Sequence, residues 1–70
     1  MAQKETRQYV RVGGSKDSPS VLLNSDHTTM GWTVRWKDND RYCDSEKKAL
    51  ELAREILGGD VMLVSVSKLP

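Results

Sequence analysis

The 70-residue sequence contains one cysteine, one histidine and no phenylalanine, and these scarcities exclude several classes of small domain. Cys43 has no second cysteine with which to form an intramolecular disulfide, so a disulfide-stapled scaffold is excluded. Together with His27 it supplies only two soft ligands, whereas a structural zinc site takes four. We therefore expect a fold held by its hydrophobic core, with no metal ion and no cofactor.

Long apolar runs are also missing. No stretch approaches the ~20 apolar residues that span a bilayer, and residues 2–8 are polar where a secretory signal is apolar. These features predict a soluble, cytoplasmic protein without membrane contacts. The formal net charge is only +1, although basic residues outnumber acidic ones six to three in residues 1–37 and acidic residues outnumber basic ones seven to five in residues 38–70. Strong nonspecific binding to polyanions is not expected from this balance.

A chain of this length forms at most one domain with a small core. Residues 1–7 are polar and aperiodic, which predicts a disordered tail ahead of a single domain over residues 8–68. Tyr9–Val12 alternates in polarity and predicts a strand, with Val10 and Val12 facing the core.

Two loops and a short strand are predicted next. Residues 13–19 consist almost entirely of turn formers and predict a flexible connection. The brief apolar run Val21–Leu23 predicts a short strand, and residues 24–30 are polar and predict a second loop.

The segment from Gly31 to Val66 carries the strongest local signals. Trp32–Lys37 alternates strictly and predicts a strand, residues 38–40 predict a turn, and residues 41–43 return as the second arm of a hairpin. An amphipathic helix follows, capped by Asp44 or Ser45 and ended by Gly58 and Gly59. Its apolar arc consists of Ala49, Leu50, Leu52, Ala53, Ile56 and Leu57. Val61–Val66 predicts a closing strand, whose low polarity indicates a central position in the sheet.

These elements predict an α+β fold: a small, twisted, mainly antiparallel sheet of three to five strands with one helix packed on one face. In this arrangement Trp32, Trp36, Val10, Val12 and Val64 are expected to meet the apolar side of the helix.

A resemblance to known proteins rests on Gly31-Trp32-x-Val34, then Arg41, then Asp44-Ser45 and a helix with Ala49, Ala53 and Arg54-Glu55-Ile56. This half of the chain resembles small bacterial and phage domains of unknown function, which have a G-W-x-V strand followed by a D-[ST]-x-x-[EK]-A-x-x-x-A-R-E helix. The arrangement of strand, hairpin and helix is also similar to the arm-site DNA-binding domains of phage integrases. The resemblance implies this fold and a phage ancestry, and it implies no activity.

No catalytic constellation is readable from the residue pattern, and we expect no enzyme activity. His27 and Cys43 fall on a predicted loop and strand, with no oxyanion site beside them. The acidic group from Asp38 to Glu46 lacks the glycine and distal glutamate of a calcium loop, so turn and cap roles explain it. Residues 13–16, Gly-Gly-Ser-Lys, lack the spacing of a phosphate-binding loop.

One candidate binding surface remains. If the tryptophan faces of the strands point toward the helix, the opposite sheet face carries a cationic patch made of Tyr9, Arg11, Thr33, Arg35, Lys37 and Arg41. The alternative interpretation is a soluble sheet face on which basic residues discourage aggregation.

Two functions are compatible with this surface. The first is a noncatalytic protein-binding module of the inhibitor or adaptor kind that small phage genes encode, using the sheet face, an exposed strand edge or the loops; near-neutral charge favours it. The second is a nucleic-acid-binding domain whose cationic sheet face contacts phosphates; the clustering of cations favours it. A protein partner is the preferred expectation, with nucleic acid as the alternative.

Overall fold

The structure is a computed structural model that describes residues 4–26 and 31–69. In these residues five strands and one helix follow one another along the chain: β1 (Lys4–Arg11), β2 (Ser20–Asp26), β3 (Trp32–Trp36), β4 (Asn39–Cys43), α1 (Glu46–Leu57) and β5 (Val61–Leu69). All strand pairs are antiparallel, the strand order is β4-β3-β2-β1-β5, and α1 packs on one face of the sheet. The predicted α+β fold is therefore confirmed, with five strands.

The positions of β1 and β5 differ from those predicted. β1 already begins at Lys4, so residues 4–7 are strand rather than tail, because they pair with both β2 and β5. β5 was predicted to be central, but it is an edge strand, and among the described strands it pairs with β1 alone. An apolar run is typical of a central strand, yet here it belongs to an edge. Residues 1–3 of the predicted tail lie outside the described residues.

β2 is longer than the predicted strand. It runs to Asp26, because residues 22–25 pair with β3 on one side while the strand pairs with β1 on the other. Residues 27–30 of the predicted second loop, including His27, lie outside the described residues.

The predicted hairpin forms with a tighter turn than expected. β3 and β4 are joined by Lys37 and Asp38 alone, and Trp36 pairs with Asn39. Lys37 has a φ of 55°, which is the left-handed region that most side chains avoid. Residues 39 and 40, predicted as turn, are therefore the first residues of β4.

Both helix ends follow from the sequence. Ser45 is the N-cap, and its hydroxyl accepts a hydrogen bond from the Lys48 backbone N–H at 3.2 Å. At the other end Gly58 adopts a left-handed φ of 79° and donates to the Arg54 carbonyl at 2.9 Å. With only twelve residues, α1 is too short to cross a bilayer, and no other described segment forms a membrane-spanning helix.

The core lies between α1 and the middle of the sheet. Its buried members are Tyr9, Val21, Leu23, Val34, Ala49 and Ala53, and Trp32 and Trp36 pack against it as partly buried residues, as predicted. The helix residues with the least exposure are the two alanines, so the helix axis can approach the sheet closely. Leu52, Ile56 and Leu57 lie at the margins of this contact and are only half-buried.

Two predicted core valines have other roles. Val12 follows the end of β1 and is 59% exposed. Val10 is fully buried but lies outside the cluster beneath the helix, because Tyr9 takes the helix-facing position and its neighbour therefore points the other way.

We expect Leu23→Ala to destabilise the fold by about 2–5 kcal/mol, because Leu23 has no exposed surface and its truncation leaves a cavity. Leu63→Ala is the matched control, since Leu63 is 46% exposed and should cost less than ~1 kcal/mol. Urea unfolding monitored by tryptophan fluorescence measures both values. Equal losses for the two variants would place the core elsewhere.

Candidate functional site

The strand register divides the sheet into two faces. Residues directly opposite each other in antiparallel strands point to the same side, so the buried cluster of Tyr9, Val21, Leu23 and Val34 defines a helix-side face. The opposite, open face is mostly uncharged and polar. Its described side chains belong to Lys4, Thr6, Gln8, Val10, Ser20, Leu22, Asn24, Thr33, Arg35, Asp40, Tyr42, Met62, Ser65 and Ser67.

The six residues predicted to form one cationic patch do not share a face. Thr33 and Arg35 lie on the open face as predicted. Tyr9 is the clearest error, because its side chain is only 7% exposed and belongs to the core beneath α1. The alternation in β1 is real, but the large tyrosine ring, rather than the neighbouring valine, fills the space under the helix.

The remaining three predicted cations are dispersed. Arg11 alternates with Tyr9 and so lies on the helix-side face, near Gly59 at the end of the helix. Arg41 is opposite Val34 and also lies on the helix-side face, at the β4 edge. Lys37 is in the turn, with its ammonium 5.5 Å from the centroid of the Trp36 ring. The four predicted cations therefore do not share one face of the sheet.

Arg35, the one predicted cation on the open face, is paired. Its Nε donates to Asp40 Oδ1 at 2.8 Å and its Nη2 donates to Asp40 Oδ2 at 3.1 Å, across the β3–β4 hairpin. This two-point hydrogen bond raises the pKa of Arg35 and lowers the pKa of Asp40 below its ordinary value of 3.8. The carboxylate of Asp40 therefore compensates the positive charge of Arg35, which a phosphate contact would need.

We expect Arg35→Gln to raise the pKa of Asp40 toward its ordinary value, because the hydrogen bond from Arg35 is the largest cause of the lowering. In the unmodified protein the contribution of the pair to stability is present above about pH 4 and is lost as the pH falls through the lowered pKa of Asp40. NMR titration measures the pKa of the Asp40 carboxyl, and urea unfolding repeated at a series of pH values measures the change in stability. An unchanged pKa in Arg35→Gln would show that the two side chains are not paired in solution.

An exposed aromatic residue on the open face has a structural explanation. Tyr42 is 66% exposed, and its ring lies over Gly31, where a Cβ would overlap the phenol. Gly31 therefore allows the ring to cover backbone at the start of β3. Tyr42 is the single aromatic side chain among the described open-face residues.

A charged cluster closes one side of the core on the helix-side face. Arg7 lies with its Cζ 4.7 Å from the centroid of the Trp32 ring, and it contacts Glu46 of α1 at 2.6 Å and Glu5 at 3.0 Å. Burial acts to lower the pKa of Arg7, but hydrogen bonds to Tyr9 and Glu46 outweigh it and raise the pKa. Arg7 thus joins β1 to the start of α1 through its ion pair with Glu46, and it packs over the Trp32 ring.

We expect Arg7→Ala to destabilise the fold by about 1–3 kcal/mol, because it removes the cover from Trp32 and leaves the largely buried Glu5 without its closest cation. Adding Glu5→Gln to this variant should restore part of the loss, since the uncompensated charge is then gone. Chemical denaturation gives the free energies, and a red shift of tryptophan emission reports the exposure of Trp32. No change in either quantity would mean that the cluster is solvated and contributes nothing.

The acidic residues and the cysteine do not form a reactive site among the described residues. Three of the four acidic residues in the group from Asp38 to Glu46 contact a cation: Asp40 contacts Arg35, Asp44 contacts Lys48 at 3.2 Å, and Glu46 contacts Arg7. Within residues 4–26 and 31–69, no three His, Cys, Asp or Glu side chains converge as a metal site. Cys43 is a half-buried free thiol, and the proposed counterpart His27 falls in the segment that is not described.

The two edges of the sheet differ in length and chemistry. β4 has five residues, all but Cys43 exposed, and among them are the charged Asp40 and Arg41. β5 has nine residues and exposes two large apolar side chains, Leu63 at 46% and Val66 at 45%. Short, charged edges discourage strand addition, whereas long apolar edges favour it. The β5 edge is therefore the candidate functional site.

The free hydrogen-bonding groups of β5 can be identified from the ladder. The backbone N–H of Val12 donates to the Asp60 carbonyl at 2.9 Å, so at the start of β5 the even-numbered residues bond to β1. Because bonding direction alternates along an antiparallel strand, Val61 and Leu63 direct their N–H and C=O groups outward. A register shift opposite Gln8 and Tyr9 then moves the alternation by one residue, since Tyr9 is opposite Leu63 and Gln8 is opposite Ser65.

Beyond this bulge the outward-directed residues are Val66 and Lys68. Residues 61, 63, 66 and 68, which we call the free edge, thus combine backbone groups that have no ladder partner among the described residues with side chains on the helix-side face. Lys68 is the single described charge on the free edge, and its Nζ lies 3.8 Å from Glu5 Oε1 on the neighbouring strand β1. The Lys68 side chain thus contacts β1, and 67% of it remains exposed.

Sequence patterns included an exposed strand edge among the possible binding surfaces but did not identify β5. The uncharged apolar run of residues 61–64 has the same pattern that a central strand or an edge strand can have. The bulge at residue 64 also leaves no local signature, and simple alternation would place Leu63 and Val66 on opposite faces of the sheet. No family model, curated protein or solved structure matches this chain.

Proposed function

We propose that this protein is a noncatalytic protein-binding module, of the inhibitor or adaptor kind, that binds an extended segment of its partner along β5. The observation that carries the proposal is the free edge, where outward N–H and C=O groups coincide with the exposed side chains of Leu63 and Val66. Addition of a strand to a sheet edge gives affinity through main-chain hydrogen bonds and specificity through alternate side chains.

The distribution of charge supports a protein partner over nucleic acid. Arg35 is neutralised by Asp40, and Arg11 and Arg41 lie on the face that also carries α1. Phosphate binding depends on several unpaired cations along one surface. The free edge instead exposes the apolar side chains of Leu63 and Val66, which suit an extended peptide with apolar residues beside them.

We expect Val66→Pro to abolish partner binding while the domain stays folded. Proline removes the N–H of Val66, which points outward and takes no part in the β1 ladder, and proline is tolerated at such edge positions. Val66→Thr is the matched control, since it keeps both the N–H and the β-branched shape. The tagged protein and its two variants are compared by capture of partners from a nuclease-treated cell lysate, followed by affinity measurement on the purified partner.

The expected result is a partner that binds the unmodified protein and Val66→Thr, and binds Val66→Pro at least about tenfold more weakly. Circular dichroism and urea unfolding establish that Val66→Pro is folded. Unchanged affinity of Val66→Pro for every partner would exclude the free edge as the site. Partners that appear only without nuclease, and whose binding falls steeply with added salt, would favour the nucleic-acid alternative.

A further inference from the structure

We propose that the strand added to β5 is β5 of a second copy, paired antiparallel about a two-fold axis between Val64 and Ser65. This inference rests on the proposed function, because it names the partner of the same free edge. The outcome would be a continuous ten-stranded sheet with both helices on one side.

The bulge selects the register of this pairing. When two copies of one strand pair antiparallel about a two-fold axis, the residue numbers of every opposed pair have the same sum. Main-chain hydrogen bonds form only where both opposed residues direct their N–H and C=O groups toward the other strand. When Leu63 opposes Val66 of the second copy, Val61 opposes Lys68 of the second copy, so all four free-edge residues find outward partners. Any other register matches at most two of the four. The bulges of the two copies then lie together at the axis.

The side chains agree with this register. Leu63 and Val66 lie on the same face. In this pairing Leu63 of each copy is opposite Val66 of the other, so the two exposed apolar side chains of β5 cover each other. The ammonium groups of the two Lys68 side chains are at opposite ends of the paired strands, so like charges are kept apart. Parallel pairing in register would place them side by side, at an electrostatic cost.

The extent of the interface sets the expected strength. Strand-to-strand contact along one edge falls below the roughly 800 Å² per partner of a standard stable interface. We therefore expect a reversible dimer with a dissociation constant on the order of 10–100 μM rather than a permanent one.

Sedimentation equilibrium of the purified protein over about 5–500 μM tests the association. We expect the mass to rise from monomer to dimer for the unmodified protein and Val66→Thr, and to remain monomeric for Val66→Pro. The double variant Leu63→Lys with Val66→Lys keeps the test decisive if the proline variant is unfolded. It leaves every backbone N–H in place and sets four like charges at the axis, and it should also remain monomeric.

Cross-linking tests the register itself. In a Cys43→Ser background, Leu63→Cys and Val66→Cys chains of different tag length are mixed and oxidised. Directly opposed residues have Cα atoms close enough for a disulfide, whereas two residues at the same position, 63 with 63 or 66 with 66, are separated along the strand. We therefore expect the disulfide between a Leu63→Cys chain and a Val66→Cys chain to exceed its statistical share. Disulfides at the statistical ratio would overturn the register.

Two further results would overturn self-pairing: a monomer throughout the concentration range, or a dimer that both blocking variants leave intact. In either case the lysate capture decides the proposed function separately. A captured partner that is lost with Val66→Pro would leave the free edge as a binding site for another protein, whereas a partner that is retained would remove the proposed function as well.

Discussion

A single twelve-residue helix has to cover a five-stranded sheet, and most other features of the structure follow from that mismatch. Such a helix is about 18 Å long and about 10 Å wide, while five strands at about 4.8 Å spacing are wider than the helix can shield. Ala49 and Ala53 bring it close to β2 and β3, and Trp32 and Trp36 fill the flanks. Arg7 and its carboxylates extend the cover, and the opposite face of the sheet has no helix of the described residues packed on it.

Local structure was predictable where short-range signals determine it. The Ser45 cap, the Gly58 end and the β3–β4 hairpin all depend on residues within a few positions of one another. The facing of β1 and the place of β5 depend on distant segments instead. Tyr9 and Val10 are both suited to a core, and only the position of the helix decides which of them it covers.

The candidate site was less predictable than the fold, because it depends on relations between strands. Alternation assigns faces within one strand, but the register assigns them between strands. Arg41 was grouped with Arg35, yet its partner Val34 places it on the opposite face. In β5 the extra residue at the bulge reverses the alternation. Leu63 and Val66 therefore share a face, and both direct their backbone N–H and C=O groups outward. Neither relation leaves a mark in the composition of the strand.

The central place of β1 has a consequence for how the chain folds. Its neighbour β2 follows within a short loop, but residues paired between β1 and β5 are separated by fifty to sixty-five positions in the sequence. The hairpins and the helix can form from nearby segments, whereas the last ladder must close a loop that includes nearly the whole domain. Until it does, the side of β1 that faces β5 is itself an unpaired edge. A slower final closure would lengthen the interval in which that edge is open to β5 of another molecule, which is the condition under which domain swapping occurs.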